Sequence, residues 1–397
     1  MPANEVARRK PVPLSFWLHS IFGLKLSLFL GFVCFTGTIA TVSHEIEWLY
    51  KPELHATAAS GEPDWGRMWD AAQRAHPGAV LGGIGSFDRS DAPYFVKSVS
   101  ATDARGEDFT IYVDPGTRRV TGHEYGRSFQ DFMRALHYYL FAPGAIPMYI
   151  VTSLGFVLIL SLVTGLITYR KFWRGFFRMP RWHRDRRTWF GDLHRLIGLW
   201  SLWFVALIGL TSVWYFVEHA GLDLETPEPV VAAPATMPKI TGQQIDDWAG
   251  LARGQMPGLA ITAIYLPYEP GNPVIVQGQW RAWLVRERTN AVFIDPATSR
   301  IVGERIAHDM GIGERLVHTA DPLHFGNFGG LTTKLIWVVF GLLLTGMAGS
   351  GAYIYAKRTK IAVASGIGLG SLNYLGVWKW PSFVAVTVIP LVSFIYW

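Results

Sequence analysis

The chain has 397 residues, half of them hydrophobic and only 17% charged, below the roughly one quarter typical of soluble domains. Its single cysteine, Cys34, excludes an internal disulfide, a Cys-ligated zinc site and an iron–sulfur cluster held by this chain alone. The net charge of +6 is not a nucleic-acid footprint: residues 45–145 and 218–330 are net acidic, and the excess Lys and Arg lies beside apolar runs, which is how membrane topology is written.

Taken in chain order, a tail with Arg8, Arg9 and Lys10 precedes an apolar run over about 21–43. That run is longer than a signal-peptide core and reads as a retained anchor, closing a first section at residue 50. An external segment follows over 51–145, with a helical pattern from Trp65 to Ala75 and short alternating strands at Tyr94–Val99 and Phe109–Val113. Runs at about 146–169 and 196–217 are long enough to span. The basic loop 170–195 between them either docks an acidic donor or serves as topology determinant and headgroup contact. A second external segment, 218–330, repeats the pattern, with a helix from Gly242 to Arg253 and a strand at Ala291–Ile294. A fourth run covers 331–356 within a section ending at 357, and Lys357, Arg358 and Lys360 follow it. In the last section, 358–397, the run 380–397 contains Pro390 and is either a short last span or an incomplete one. All three basic clusters fall on one side, which makes that side cytoplasmic and the acidic segments external.

The chain is an internal duplication. Asp114-Pro115 and Asp295-Pro296 lie 181 residues apart, Pro77-Gly78 and Pro257-Gly258 180, and Thr164-Gly165 and Thr345-Gly346 181. His19 and His194 lie 175 apart, as do His44 and His219. So many ordered matches make one unit of span, external domain and span, present twice. The helix, the Pro-Gly and the strand closing on Val113-Asp-Pro-Gly-Thr-Arg-Arg-Val-Thr-Gly122 resemble PepSY domains. With Leu-His-x-x-x-Gly at Leu18–Gly23 and Leu193–Gly198, and Leu323-His-Phe-Gly-Asn-Phe-Gly-Gly330, residues 14–357 resemble the PepSY-associated transmembrane family, which includes inner-membrane ferric-siderophore reductases. The resemblance implies haem held by histidines in the bundle and electrons delivered to an iron chelate outside.

Of twelve histidines, His55, His76, His123, His183 and His308 fall in loops, turns or soluble segments. The other seven cluster by depth, His19 and His194 at the cytoplasmic ends of spans, and His44, His137, His219, His318 and His324 near the outer ends. A histidine at a span end can simply snorkel to the interface. Repeat symmetry favours His19 with His194 instead, since neutral imidazoles facing each other across a bundle can supply both axial bonds of a haem iron. Gly23 and Gly198, one helical turn on, either make room for a flat macrocycle or serve close helix packing. His44 shares a helix face with His19 about 37 Å away, too far for fast direct transfer between two haems. By family resemblance His137 and His324 are the outer pair. By strict register His318, not His324, is the mate of His137. His44 and His219 stand as further alternates or proton-handling residues, with Glu45 either fixing the His44 tautomer or marking the membrane surface.

Gly366-Ile-Gly-Leu-Gly370 follows no strand, so a dinucleotide site fails its own context test, and no hydrolase motif occurs. The fold class read from the sequence is an α-helical membrane bundle, four core spans and a fifth C-terminal one, with two α+β PepSY-like periplasmic domains. The function expected is an oxidoreductase of the bacterial inner membrane, carrying two haem b groups and reducing a ferric siderophore or other chelate. With no flavin or nicotinamide domain, its electrons come from a quinol or a cytoplasmic reductase. A rival of another class is a non-catalytic scaffold whose external domains bind peptide or a partner protein.

Overall fold

A computed structural model describes residues 14–15, 18–19, 26–58, 61–88, 91–222, 224–232, 239–358, 377, 379–388 and 391. The chain divides into two compact units, one helical (residues up to 38, 134–221 and from 338) and one built on a sheet (39–133 and 222–337).

In the helical unit, the apolar run after Met148 extends a helix begun at Ile146 with Pro147 in its first turn, where proline's missing N–H costs nothing. This helix, α5, covers Ile146–Thr168. At 1.5 Å per residue it is about 34 Å long, enough for a hydrocarbon core of about 30 Å. Its main partner is α7, Leu202–His219. Gly155 and Gly209 sit at their crossing: a Cβ on Gly155 would lie 2.8 Å from the Gly209 carbonyl oxygen. Small residues are what let two backbones approach this closely. Helix α6, Arg186–Trp200, is capped by Asp185, whose side chain accepts from the Thr188 N–H, and it passes into α7 through Ser201. The last long helix, α10, runs Gly330–Arg358.

Among the described residues three helices are long and apolar enough to cross a membrane, Ile146–Thr168, Leu202–His219 and Gly330–Ile354. The first apolar run behaves differently from one straight span. It forms α1, Ser27–Thr41, then bends by 55° into α2, Ser43–Tyr50, and the two pass as a span only when taken together. Near the C-terminus the structure describes a short α11, Lys379–Phe383, and a wide turn over Val384–Val388. Residue 391 apart, the rest of the expected fifth run, and Gly366–Gly370, lie outside the described residues.

In the sheet unit, α3 (Trp65–Ala75) leads into β1 (Val80–Ser86), β2 (Lys97–Thr102), β3 (Asp108–Asp114) and β4 (Arg119–Tyr125), and a short α4 (Phe129–Arg134) follows. The second copy gives α8 (Gly242–Gln255), β5 (Ala260–Tyr265), β6 (Val274–Gln279), β7 (Asn290–Ile294) and β8 (Ile301–Arg305), then α9 (Ile312–Phe325). Strand β2 starts three residues later than its alternation predicts, because the Phe95 N–H closes a turn onto the Ala92 carbonyl.

The two copies do not make two sheets. All eight strands form one antiparallel sheet in the order β4-β3-β2-β1-β5-β6-β7-β8. The joint is β1 against β5, with Gly83 opposite Tyr265 and Gly85 opposite Ala263. A Cβ at either glycine would lie 2.7 Å from the facing side chain, so the Gly-Gly-Ile-Gly run is what lets the copies merge. Trp65, Trp69 and Trp248 from α3 and α8 are buried with the strand side chains Ile84, Ile111, Ile264 and Val276. The helices also hold each other reciprocally, Gly66 N donating to Asp246 and Gly242 N to Asp70, each 2.8 Å. The repeated Asp-Pro motif is a turn cap: Asp114 accepts from Gly116 N and the Thr117 hydroxyl, Asp295 from Ala297 N and the Thr298 hydroxyl.

Candidate functional site

The seven deep histidines divide between the units. His19, His137, His194 and His219 belong to the helical unit, and His44, His318 and His324 to the sheet unit. The five remaining histidines are exposed or partly so.

His19 turns its Nδ1 to α5, 3.1 Å from the Ser161 carbonyl and 3.3 Å from the Thr164 hydroxyl. A carbonyl only accepts, so Nδ1 carries the hydrogen and Nε2 keeps its lone pair. Its ring rests on Gly165, where a Cβ would lie 3.5 Å from Cε1. His194, on α6, is held similarly against α10: Nδ1 lies 2.9 Å from the Ser350 hydroxyl, which itself donates to the Met347 carbonyl, and Gly351 lies under Cε1. Gly198 serves packing of α6 on α10, a Cβ there lying 3.3 Å from the Met347 methyl, whereas Gly23 lies outside the described residues.

His137 lies in a wide helical turn, Ala135–Tyr139, closed by Leu140 in the left-handed region. Phe141 is left-handed too, so the chain reverses before α5 and the His137 ring is carried onto α1. Nδ1 lies 3.0 Å from the Val33 carbonyl and 3.3 Å from the Thr36 hydroxyl, and a Cβ on Gly37 would lie 2.7 Å from Cε1. His219, at the end of α7, is different. Its Nδ1 donates to the Tyr215 carbonyl, 2.6 Å, and its Nε2 accepts from the Tyr138 hydroxyl.

In the sheet unit, His44 donates from Nδ1 to Asp88, 2.9 Å, and Asp88 also accepts from Lys334, 2.8 Å. Lys334 reaches Glu45 as well, at 2.7 Å. Of the two roles open to Glu45 in the sequence, the structure gives that of His44 partner to Asp88 instead, 44 residues away. Burial favours a protonated Asp88, but the His44 hydrogen bond and the Lys334 charge outweigh it and hold the carboxyl well below the usual range. A cavity of about 200 Å³ beside His44 is lined by Phe87, Ser98, Thr110, Tyr112, Glu124 and Ser128.

His318 is fully buried in α9 with neither ring nitrogen hydrogen-bonded. Burial, and then the charges of Arg305, Arg286 and Arg288, push it down to about 3. His324 stands in the last turn of α9, ahead of the left-handed Gly326 whose face Trp337 covers. The Trp337 indole N–H donates to the Leu323 carbonyl, 3.0 Å, so Leu-His-Phe-Gly reads structurally as a helix stop. Among the described residues no three His, Cys, Asp or Glu side chains converge as a metal-ion site. A neutral imidazole that carries its hydrogen on Nδ1 ligates a metal through Nε2.

Residues 16–358 match the family model described as the PepSY-associated TM region. The chain is also similar to an uncharacterised protein of Pseudomonas aeruginosa, 24% identical over 255 residues, 57% of this chain and 63% of that one. The chain thus spans less than two thirds of the length of the curated relative it matches.

Proposed function

The chain belongs to the PepSY-associated transmembrane family, and from that membership and its oriented histidines we propose that it is a haem b protein of the bacterial inner membrane that reduces a ferric chelate on the periplasmic side. The observation that carries this reading is the shared orientation of His19, His137 and His194. Each gives its Nδ1 hydrogen to a helix of the bundle, the tautomer in which a neutral imidazole ligates iron through Nε2.

Haem iron in such a ligand set supplies one-electron exchange. His19 and His194 would hold one group near the basic side of the bundle, and His137 would contribute to a second. The residues around them keep each ring in place and hold its hydrogen on Nδ1. The basic clusters at Arg8–Lys10, 170–195 and 357–360 support a cytoplasmic N-terminus, so electrons would arrive from a quinol or a cytoplasmic reductase. One electron per ferric ion then leaves Fe(II), which hard oxygen chelators hold less tightly.

The test is haem content by pyridine haemochrome for protein purified from haem-replete cells, in the wild type, His19→Ala, His194→Ala and the double variant. The double variant is expected to lose one haem per chain and, with it, reduction of a ferric chelate driven from the cytoplasmic side. An unchanged ratio would show these histidines to be interfacial polar residues. A colourless wild type would overturn the haem reading and leave the scaffold.

A further inference from the structure

The three oriented histidines rest on three copies of one local device. On α1 it is the Val33 carbonyl, the Thr36 hydroxyl three residues on and Gly37 after it. On α5 it is Ser161, Thr164 and Gly165, and on α10 Met347, Ser350 and Gly351. We propose that Thr36, Thr164 and Ser350, each with the glycine that follows, are positioning residues that fix the ring plane and tautomer of His137, His19 and His194. The proposal rests on the haem reading for its purpose, although its geometry does not.

Each part has a physical role. The hydroxyl of a helical Ser or Thr bonds back to the carbonyl three or four residues earlier, as Thr36 does to Val33, Thr164 to Leu160 at 2.6 Å and more distantly to Ser161 at 3.4 Å, and Ser350 to Met347. Its hydrogen is thereby spent, so the hydroxyl oxygen faces the imidazole as an acceptor, beside a carbonyl that is also an acceptor. Two acceptors at the Nδ1 of His19 and of His137, and the Ser350 oxygen at that of His194, hold the hydrogen there and leave none on Nε2. The residue one position further lies on the same face as that carbonyl, one turn along. Glycine there leaves the dent in which Cε1 sits.

Duplication alone does not account for the pattern. The register mate of Thr164-Gly165 is Thr345-Gly346, and Gly346 has open space beside it. The pair that holds His194 is Ser350-Gly351, five residues on, so the device recurs out of register wherever a histidine needs it. At the register mate of Thr36, Thr211 keeps the bond back to the Ile208 carbonyl, 3.1 Å, but Ser212 stands in the glycine's place.

A hydrogen bond from Nδ1 to an acceptor makes Nε2 a stronger donor and favours Fe(III) over Fe(II). The test therefore has two independent arms. In the first, ¹⁵N-histidine NMR of protein prepared without haem reads the tautomers directly. Nδ1-protonated signals are expected for His19, His137 and His194, and an Nε2-protonated signal at any of them overturns the proposal whether or not the protein carries haem. In the second, Gly37→Ala, whose Cβ meets Cε1 at 2.7 Å, is expected to lose one haem per chain, while Gly346→Ala keeps the full complement. Ser350→Ala is expected to keep its haem with a raised midpoint potential, and Ser350→Thr to restore it. Full haem content at an unchanged potential in both Gly37→Ala and Ser350→Ala overturns the proposal while leaving the haem reading standing.

Discussion

The Nε2 nitrogen of His219 accepts the hydroxyl hydrogen of Tyr138, which commits its lone pair within the protein. With Nδ1 given to the Tyr215 carbonyl, both ring nitrogens are used within the protein. His219→Gln is accordingly expected to keep the wild-type haem content, with at most about 1–2 kcal/mol lost from the Tyr138 bond. Loss of a haem in that variant, read by pyridine haemochrome, would make His219 a ligand after all.

The buried charges of the sheet unit form a chain in which each member needs the next. Lys334 is 3% exposed and Asp88 1%, so removing either takes a charged partner from the other in a dry site, leaving Lys334 with Glu45 alone or Asp88 with His44 alone. Asp88→Asn is expected to destabilise the sheet unit by about 3–5 kcal/mol, as breaking one partner of a buried pair does. Because the folded carboxyl is held well below its unfolded value, the stabilisation is present above about pH 4 and is lost only as the pH falls through the depressed value. Thermal unfolding of the full chain in detergent, followed against pH, checks both statements. An unshifted midpoint in Asp88→Asn would remove the network from the stability account.

His318 gives a pH dependence at a milder acidity. Its unfolded imidazole takes a proton near 6.5, whereas the folded one waits until about 3. The unfolded state therefore binds the extra proton, and stability falls as pH drops from 6.5 toward 3, by up to about 1.4 kcal/mol per unit. Arg286, Arg288 and Arg305 deepen the effect and Asp321 opposes it. His318→Leu is expected to flatten this slope, and an identical slope in the variant would assign it to other groups.

The crossing of α3 and α8 has no room for a side chain at Gly66, where a Cβ would run into the Gly242 carbonyl. Gly66→Ala is expected to cost about 1–3 kcal/mol through forced separation of the helices. Gly78→Ala, in open space, should stay within about 0.5 kcal/mol of the wild type. Fluorescence-monitored unfolding through Trp65, Trp69 and Trp248 compares them, and equal midpoints would mean the crossing relaxes freely.

Local signals made much of this chain legible without a structure. Helix α3 starts and stops where its pattern says, and the Asp-Pro turns are closed by their own carboxylates. The second and fourth apolar runs are single long helices. Each of these depends on residues within one turn or one span of each other, which periodicity and turn chemistry report directly. The first run was less legible because its bend at Val42 carries neither proline nor glycine to announce it.

What the sequence by itself determined, then, is the inventory: a duplicated membrane chain, apolar runs of which three are long single helices among the described residues, and histidines at matching positions. Only the tertiary structure decided how the pieces meet. The eight strands become one sheet because Gly83 and Gly85 face Tyr265 and Ala263. His44 answers to Asp88, and Asp88 to Lys334, 246 residues away. Even the device under the histidines is written in part with backbone carbonyls, which every residue possesses and which no sequence pattern distinguishes. Which carbonyl tilts toward which ring depends on the packing of one helix against another, and that is fixed by side-chain volume at contacts far apart in the chain.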